Sequence, residues 1–300
     1  MLMCRIKGTM LFFILPWLIS SQLKTPFLTN DYQSDHDYLK ELKFLKNHPD
    51  RETERIIKSI AKWAYDHKDW DTAIDNYERL LVDTPSANNY FNLAVAAARK
   101  SLEVPRFLSV PYVIKARKSA LIAHELQPKE VDYLNLLIQL YAEIPELLGG
   151  SVAFAKKKAD ELSDIDTLAG GMMQAYIFEL KNNFQASRSK IAEVFNYLKE
   201  NYNDRDRWVK EFGKNLIFEF GRAAAEYQIE PDLGILLLKH YQEDFVFKDN
   251  YPLEWAYYYQ SKIYLYKGNK NEAIASLHKA LKIKPDFKEG LEFLKKLSLE

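Results

Sequence analysis

The sequence predicts an all-α fold, a solenoid of about six stacked helix pairs ending in a capping helix. Three observations carry this. Apolar residues recur at intervals of three and four, as in the runs beginning at Ile56 and Asn88. No alternating segment of strand length and no Asn-Gly or Asp-Gly hairpin turn breaks that pattern. One set of spacings then occurs twice. Ala61, Ala64, Ala73, Tyr77, Leu80 and Pro85 are separated by 3, 9, 4, 3 and 5 residues, as are Ser261, Tyr264, Ala273, Leu277, Ala280 and Pro285. Small residues on a first helix (A) and at the start of a second (B) let the two approach closely. A large residue four positions later fills the groove, and proline ends helix B. The composition agrees, with 19 Tyr, 17 Phe and 5 Trp to fill helix joints and only 10 Gly and 11 Pro to make turns.

The elements follow in order. Arg5 and Lys7 precede an apolar run of twelve residues, Gly8 to Ile19, followed by Ser20, Ser21 and Gln22. This reads as a cleavable signal peptide over residues 1–21, since a bilayer span needs about 20 apolar residues. Cleavage after Ser21 removes Cys4, Arg5 and Lys7 and leaves 40 basic against 42 acidic residues. The expected product is exported, periplasmic or secreted, with no cysteine and no stable membrane span. Residues 22–52 read as a linker and an N-terminal capping helix, Asp35 to Lys46, and residues 53–300 as the solenoid.

Between the two closely matched pairs, four looser ones keep the frame. The second has Ala94 and Ala97, then Ala116, Ala120, Ala123 and Pro128, with ten extra residues between its helices. The third has Leu137 and Leu140, then Ala155, Ala159 and Leu162, with six extra. The fourth has Ala175 and Phe178, then Ser187, Ile191 and Val194; the fifth has Gly221 and Ala224, then Gly234, Leu238 and Tyr241. The stretch from Asp286 to Leu297 reads as a solvating end helix.

These spacings resemble the tetratricopeptide repeat, whose period is about 34 residues. The stretches from Trp70 to Pro85 and from Lys270 to Pro285 are similar to its second helix. Residues Tyr141 to Ser151, with Ile144-Pro145 and Gly149-Gly150, resemble a joint common in exported bacterial proteins of this family. The resemblance covers residues 53–300 and implies a right-handed superhelix serving as a scaffold or adaptor. The family's usual Trp/Leu/Gly signature in helix A is largely missing here.

Composition narrows the chemistry. Lys+Arg and Asp+Glu both number 42, so no global charge favours nucleic acid. A single cysteine excludes an internal disulfide framework and a Cys-rich zinc module. The six histidines show no HxxxH or HExxH spacing, and no GxSxG motif or nucleotide fingerprint occurs. Gly149-Gly150-Ser151 invites an anion-binding reading, but a helix turn with Ser151 as the cap of the next helix accounts for it better. The protein is therefore expected to be no enzyme and to need no metal or cofactor.

The expected partner is a protein or extended peptide in the concave groove lined by the A helices. The repeat frame points Arg55, Lys58, Lys62 and Tyr65 into it, then Phe91 and Arg99. Next come Leu134, Ile138, Tyr141, Met172, Tyr176, Phe218 and Arg222, and finally Trp255, Tyr258 and Lys262. The groove is thus basic at its start and aromatic or aliphatic through the middle, suited to a peptide with an acidic end. Lys62 stands where the family's carboxylate clamp wants Asn, which disfavours a chaperone C-terminus. A carrier of an apolar small ligand working with a transporter is the alternative. The insertion Glu103 to Tyr112, with Pro105 and Pro111, reads either as a partner-contacting loop or as one folded back on its own helices.

Overall fold

The structure is a computed structural model that describes residues 32–202, 212–247 and 249–299, with side chains from Asp37 onward. The expected leader, residues 1–21, lies outside the described residues. The chain divides into two compact units at Asp166/Thr167. The first unit holds α1 (Tyr32–Lys46), α2 (Glu54–Asp66), α3 (Trp70–Asp83), α4 (Ala87–Glu103) and α5 (Arg106–Leu126). It continues with α6 (Val131–Glu143), a 3-10 turn (Glu146–Leu148) and α7 (Val152–Ile165). The second unit holds α8 (Thr167–Leu180), α9 (Phe184–Asn201), α10 (Lys214–Tyr227) and α11 (Pro231–Glu243). It ends with α12 (Leu253–Tyr266), α13 (Lys270–Ile283) and α14 (Lys288–Leu299). No strand occurs among the described residues.

Within the first unit α2 packs on α3, α4 on α5 and α6 on α7; within the second, α8 packs on α9, α10 on α11 and α12 on α13. These are the predicted A/B pairs. The small residues that define them are sealed: Ala61, Ala64, Ala73, Ser261, Ala273 and Ala280 are all fully buried. Gly171 at the start of α8 works the same way, because a Cβ there would come within 2.4 Å of Val194 Cγ2 on α9.

The A–B turn has one geometry in three pairs. Lys68, Asn182 and Gly268 all take left-handed backbone, two residues after helix A ends. The next residue turns back, so that the Asp69, Asn183 and Asn269 amides donate to the Ala64, Phe178 and Tyr264 carbonyls, each at 2.9 Å. This satisfies a carbonyl that helix A would leave orphaned. The same residue then caps helix B: Asp69 accepts from the Thr72 amide at 3.2 Å and Asn183 from the Ala186 amide at 3.1 Å. Only Gly268 enters this conformation without a Cβ penalty.

The insertion at Glu103 to Tyr112 is not a loop. It lengthens both helices of the second pair, leaving only Val104 and Pro105 between α4 and α5. Pro111 lies inside α5 near its start, and its missing N–H leaves the Phe107 carbonyl without a helical donor. Water can serve that carbonyl, because the extension stays outside, with Phe107 78% exposed. The insertion before α7 does form the expected turn. Gly149 is left-handed, and Ser151 caps α7 by accepting from the Phe154 amide at 3.2 Å.

Helices α1 and α14 each bury an apolar face on the neighbouring helix pair. Tyr38, Leu42 and Leu45 of α1 cluster with Ile56 and Ile60. The Tyr38 ring stacks on His67 at 4.6 Å, and its hydroxyl donates to Asp69 at 2.5 Å. Burial and that carboxylate both push the phenol up, so it remains a donor. At the other end Leu297 of α14 is buried against Ala273 and Leu277, while the charged side chains of α14 face solvent.

One buried group makes the first unit sensitive to acid. His124 of α5 is buried, and its Nε2 lies 3.1 Å from Lys158 Nζ of α7. An ammonium only donates, so the imidazole accepts and is neutral. Burial lowers its pKa first, the Lys158 charge lowers it further, and Glu161 and Glu125 oppose weakly. The folded value thus lies below the unfolded one, and the unfolded chain takes up the proton first as pH falls. Stability is unaffected well above pH ~6.5 and falls below it, through the folded value. We expect the melting temperature to drop between about pH 7 and pH 5, and H124Q to flatten that drop. An identical pH profile in H124Q would assign the loss to other groups.

Candidate partner-binding surface

Helix α2 separates its residues cleanly. Ile56, Ile57, Ile60, Ala61 and Ala64 face the core, while Arg55, Lys58 and Lys62 fall on one exposed stripe at spacings of three and four. Lys62 pairs with Asp66 one turn on, at 2.7 Å. Arg55 and Lys58 have no ion-pair partner among the described residues.

Beside this stripe the A helices of the first unit form a wall. Tyr65 of α2 is half-buried, edge-on to Trp70 at 5.7 Å and to Tyr77 at 6.3 Å. Burial pushes its phenol up to about 12, with Asp66 and Asp132 adding to the shift and Arg99 opposing it. Those influences place Tyr65 of α2, Arg99 of α4 and Asp132 of α6 in one neighbourhood. Asp132 reaches solvent, yet desolvation, and secondarily Glu130, raises its carboxyl. Phe91 of α4 stacks on Tyr133 of α6 at 4.8 Å and extends the same wall. Asp132 was missed from sequence because an acidic residue in the first turn of a helix is also what the helix dipole favours.

The remaining expected residues do not lie open. Leu134 and Ile138 have no exposed surface, and Tyr141, Met172, Tyr176, Phe218 and Arg222 are buried too. This corrects their expected place in an open groove. The reason is that α6 and α8 carry long apolar runs that are enclosed on several sides, while α10 also encloses Glu219 and Arg222, which pair with each other. From Ile217 to Ala225, nine consecutive residues of α10 are buried. The continuous apolar runs around Leu136 and Met172 carried that signal. Tyr141 packs its ring against Phe154 at 4.3 Å, and its hydroxyl accepts from Arg117 at 3.2 Å.

Arg222 is the centre of a buried network in the second unit. Its Nε donates to Glu219 at 2.7 Å, and its Nη1 reaches Glu179 of α8 at 3.4 Å. Tyr227 donates to Glu179 at 2.5 Å, and Tyr251 donates to Glu219 at 2.6 Å. The two carboxylates hold the guanidinium charged, well above its usual range, although burial opposes this. Trp255 and Tyr258 are half-buried against Phe287, at 5.0 and 5.7 Å. Lys262 pairs with Glu226 at 2.7 Å. These residues hold helices together, and Arg55, Lys58 and Lys62 are the exposed basic members of the predicted set. Among the described residues no group of three or more His, Cys, Asp or Glu is arranged to hold a metal ion, and no helix is long and apolar enough to cross a membrane.

Comparisons agree with the geometry. Residues 255–287 match the family model described as Tetratricopeptide repeat. The fold is similar to a tetratricopeptide repeat protein from Parabacteroides merdae, at 14% identity and a TM-score of 0.51, over 90% of this chain and 95% of that one. A thermophilic TPR protein of Thermus thermophilus matches at 14% identity and a TM-score of 0.43, over 83% of this chain and 100% of that one. No curated protein sequence matches the chain. The chain therefore has the all-α helical-repeat fold of tetratricopeptide-repeat proteins. The matched residues span its last full helix pair, α12 and α13.

Proposed function

We propose that the protein is a non-catalytic scaffold that binds an acidic protein or extended peptide, beginning at the basic stripe of α2. The state of its charges carries this reading. Some cations elsewhere on the repeats have acidic partners from other segments: Arg79 with Glu52 at 2.5 Å, Lys100 with Asp71 at 2.5 Å, Lys115 with Glu78 at 2.6 Å and Lys199 with Glu230 at 2.7 Å. Arg55 and Lys58 stand exposed without one among the described residues, on the helix that also carries Tyr65. An uncompensated basic stripe steers and orients an acidic partner. Aromatic and arginine side chains next to it are the usual anchors of binding energy.

The test is a selection of peptides from a random pool on the purified protein. Enrichment in Asp and Glu is expected for wild type, with about tenfold weaker capture of the enriched peptides by R55E/K58E/K62E, since each tenfold corresponds to ~1.4 kcal/mol. The melting temperature should stay unchanged, because the stripe is outside the core. Equal capture by the two proteins would move the site elsewhere.

Export belongs to the same reading. It is supported by the basic start, twelve-residue apolar run and small residues that end at Ser21. Mass spectrometry of the native protein should find Gln22 at the N-terminus, and an intact Met1 would refute it.

A further inference from the structure

Arg117 of α5 is held by a neutral neighbour. Among the described residues no carboxylate lies within ion-pairing distance of it. Its Nη1 donates to the Tyr141 hydroxyl at 3.2 Å, and its Cζ lies 5.7 Å from the centre of that ring. Its Nε is buried and has no acceptor. The residue as a whole is only partly buried, so the guanidinium is still reachable from solvent.

The neighbouring turn is shaped around it. Gly149, with φ of +89°, lies so close that an added Cβ would come within 2.7 Å of Arg117 Cζ and 2.9 Å of Nε and Nη2. Gly150 is pinned on the other side, where a Cβ would sit 1.7 Å from the Ile144 carbonyl oxygen. Gly149 lets the guanidinium lie against bare backbone. The turn offers no free amides of its own there. The Leu148, Gly149, Gly150 and Ser151 N–H groups donate to Pro145, Glu146, Pro145 and Tyr141 carbonyls. Recognition at this place therefore rests on the arginine and not on a backbone nest.

A guanidinium presents five N–H donors and cannot deprotonate. Here one donor is spent on a neutral hydroxyl and the positive charge has no carboxylate within ion-pairing distance among the described residues, an arrangement that an anion would complete. We propose that Arg117 anchors an oxyanion site, taking a carboxylate or phosphate group through Nη2 and the remaining N–H of Nη1, with Tyr141 and Gly149 fixing the plane of the fork. This site is separate from the α2 stripe and does not depend on it.

The experiment is an NMR titration of the full-length labelled protein with inorganic phosphate and, separately, with acetate, using chloride as the ionic-strength control. The Arg117 Nε–H and the Gly149 and Gly150 amides should shift saturably with an oxyanion and not with chloride. Saturation with phosphate alone identifies a phosphate group as the ligand, with acetate alone a carboxylate, and with both a general oxyanion site. R117Q should weaken binding at least about tenfold, and R117K, which keeps the charge but loses the fork, should retain a weaker response. A linear response in wild type, or the same isotherm in R117Q, overturns the proposal. If R117Q fails to fold, saturation or its absence at the wild-type Arg117 Nε–H decides the matter alone.

Discussion

Replacing Arg222 by alanine is expected to destabilise the second unit by about 3–5 kcal/mol, the usual result of removing one partner from a buried ion pair. The geometry places it at the upper end. Arg222 is 6% exposed and lies between two acidic residues, Glu219 and Glu179, and both are also bound by tyrosine hydroxyls. Its loss leaves two carboxylates facing each other in the core. They must then take up protons, so R222A should recover stability as pH falls toward the carboxylate range, opposite to the wild-type trend. Thermal unfolding of R222A and of R222A/E179Q/E219Q across pH separates the terms. The triple variant should be more stable than R222A near neutral pH. If R222A melts like wild type, the network contributes little and the helices are held by apolar packing alone.

The second large effect is expected at Gly150. An alanine Cβ would meet the Ile144 carbonyl oxygen at 1.7 Å. That oxygen is backbone and cannot rotate away, so the turn between α6 and α7 must open. We expect a loss of about 3 kcal/mol, the upper part of the range for forced overpacking, with faster amide exchange from residue 144 to 151. The Ser151 amide, which donates to the Tyr141 carbonyl at 2.8 Å, should lose protection first. Gly213→Ala is the control: nothing lies within 4 Å of its Cβ position, and only the cost of a poorer N-cap for α10, below about 1 kcal/mol, is expected. Equal melting of the two variants would mean that the turn relaxes freely.

The repeat was legible because its signal is local and periodic. Ala61, Ala64 and Ala73 predicted the first pair and are buried between α2 and α3; the same spacing 200 residues later predicted α12 and α13. The Gly149-Gly150-Ser151 turn and its cap were legible for the same reason, since each uses residue types that few other conformations favour. The site was less so. Arg55, Lys58 and Lys62 could be placed on an exposed face, because α2 is strongly amphipathic. Tyr141, Tyr176 and Arg222 were placed on the groove by the same frame and lie in the core. The frame gives a direction from a helix, and it does not say what stands in that direction.

The Glu103–Tyr112 segment shows the limit from the other side. Two prolines and exposed apolar residues suggested a loop, yet α5 starts at Arg106 and absorbs Pro111 near its start. A proline there gives up one helical bond, to a carbonyl that water can reach, so it is compatible with both readings until the pairing of α4 with α5 decides. The sequence by itself determined the helical class, the positions of the repeats, the Gly149-Gly150-Ser151 turn and the basic stripe of α2. All of these follow from residues within one or two turns of each other. Only the tertiary structure decided which helix faces stay open, that Arg222 is closed between Glu179 and Glu219, and that Arg117 lacks an acidic partner among the described residues. Those outcomes depend on side chains 24 to 43 positions apart, such as Arg117 with Tyr141 and Glu179 with Arg222, and no local spacing encodes them.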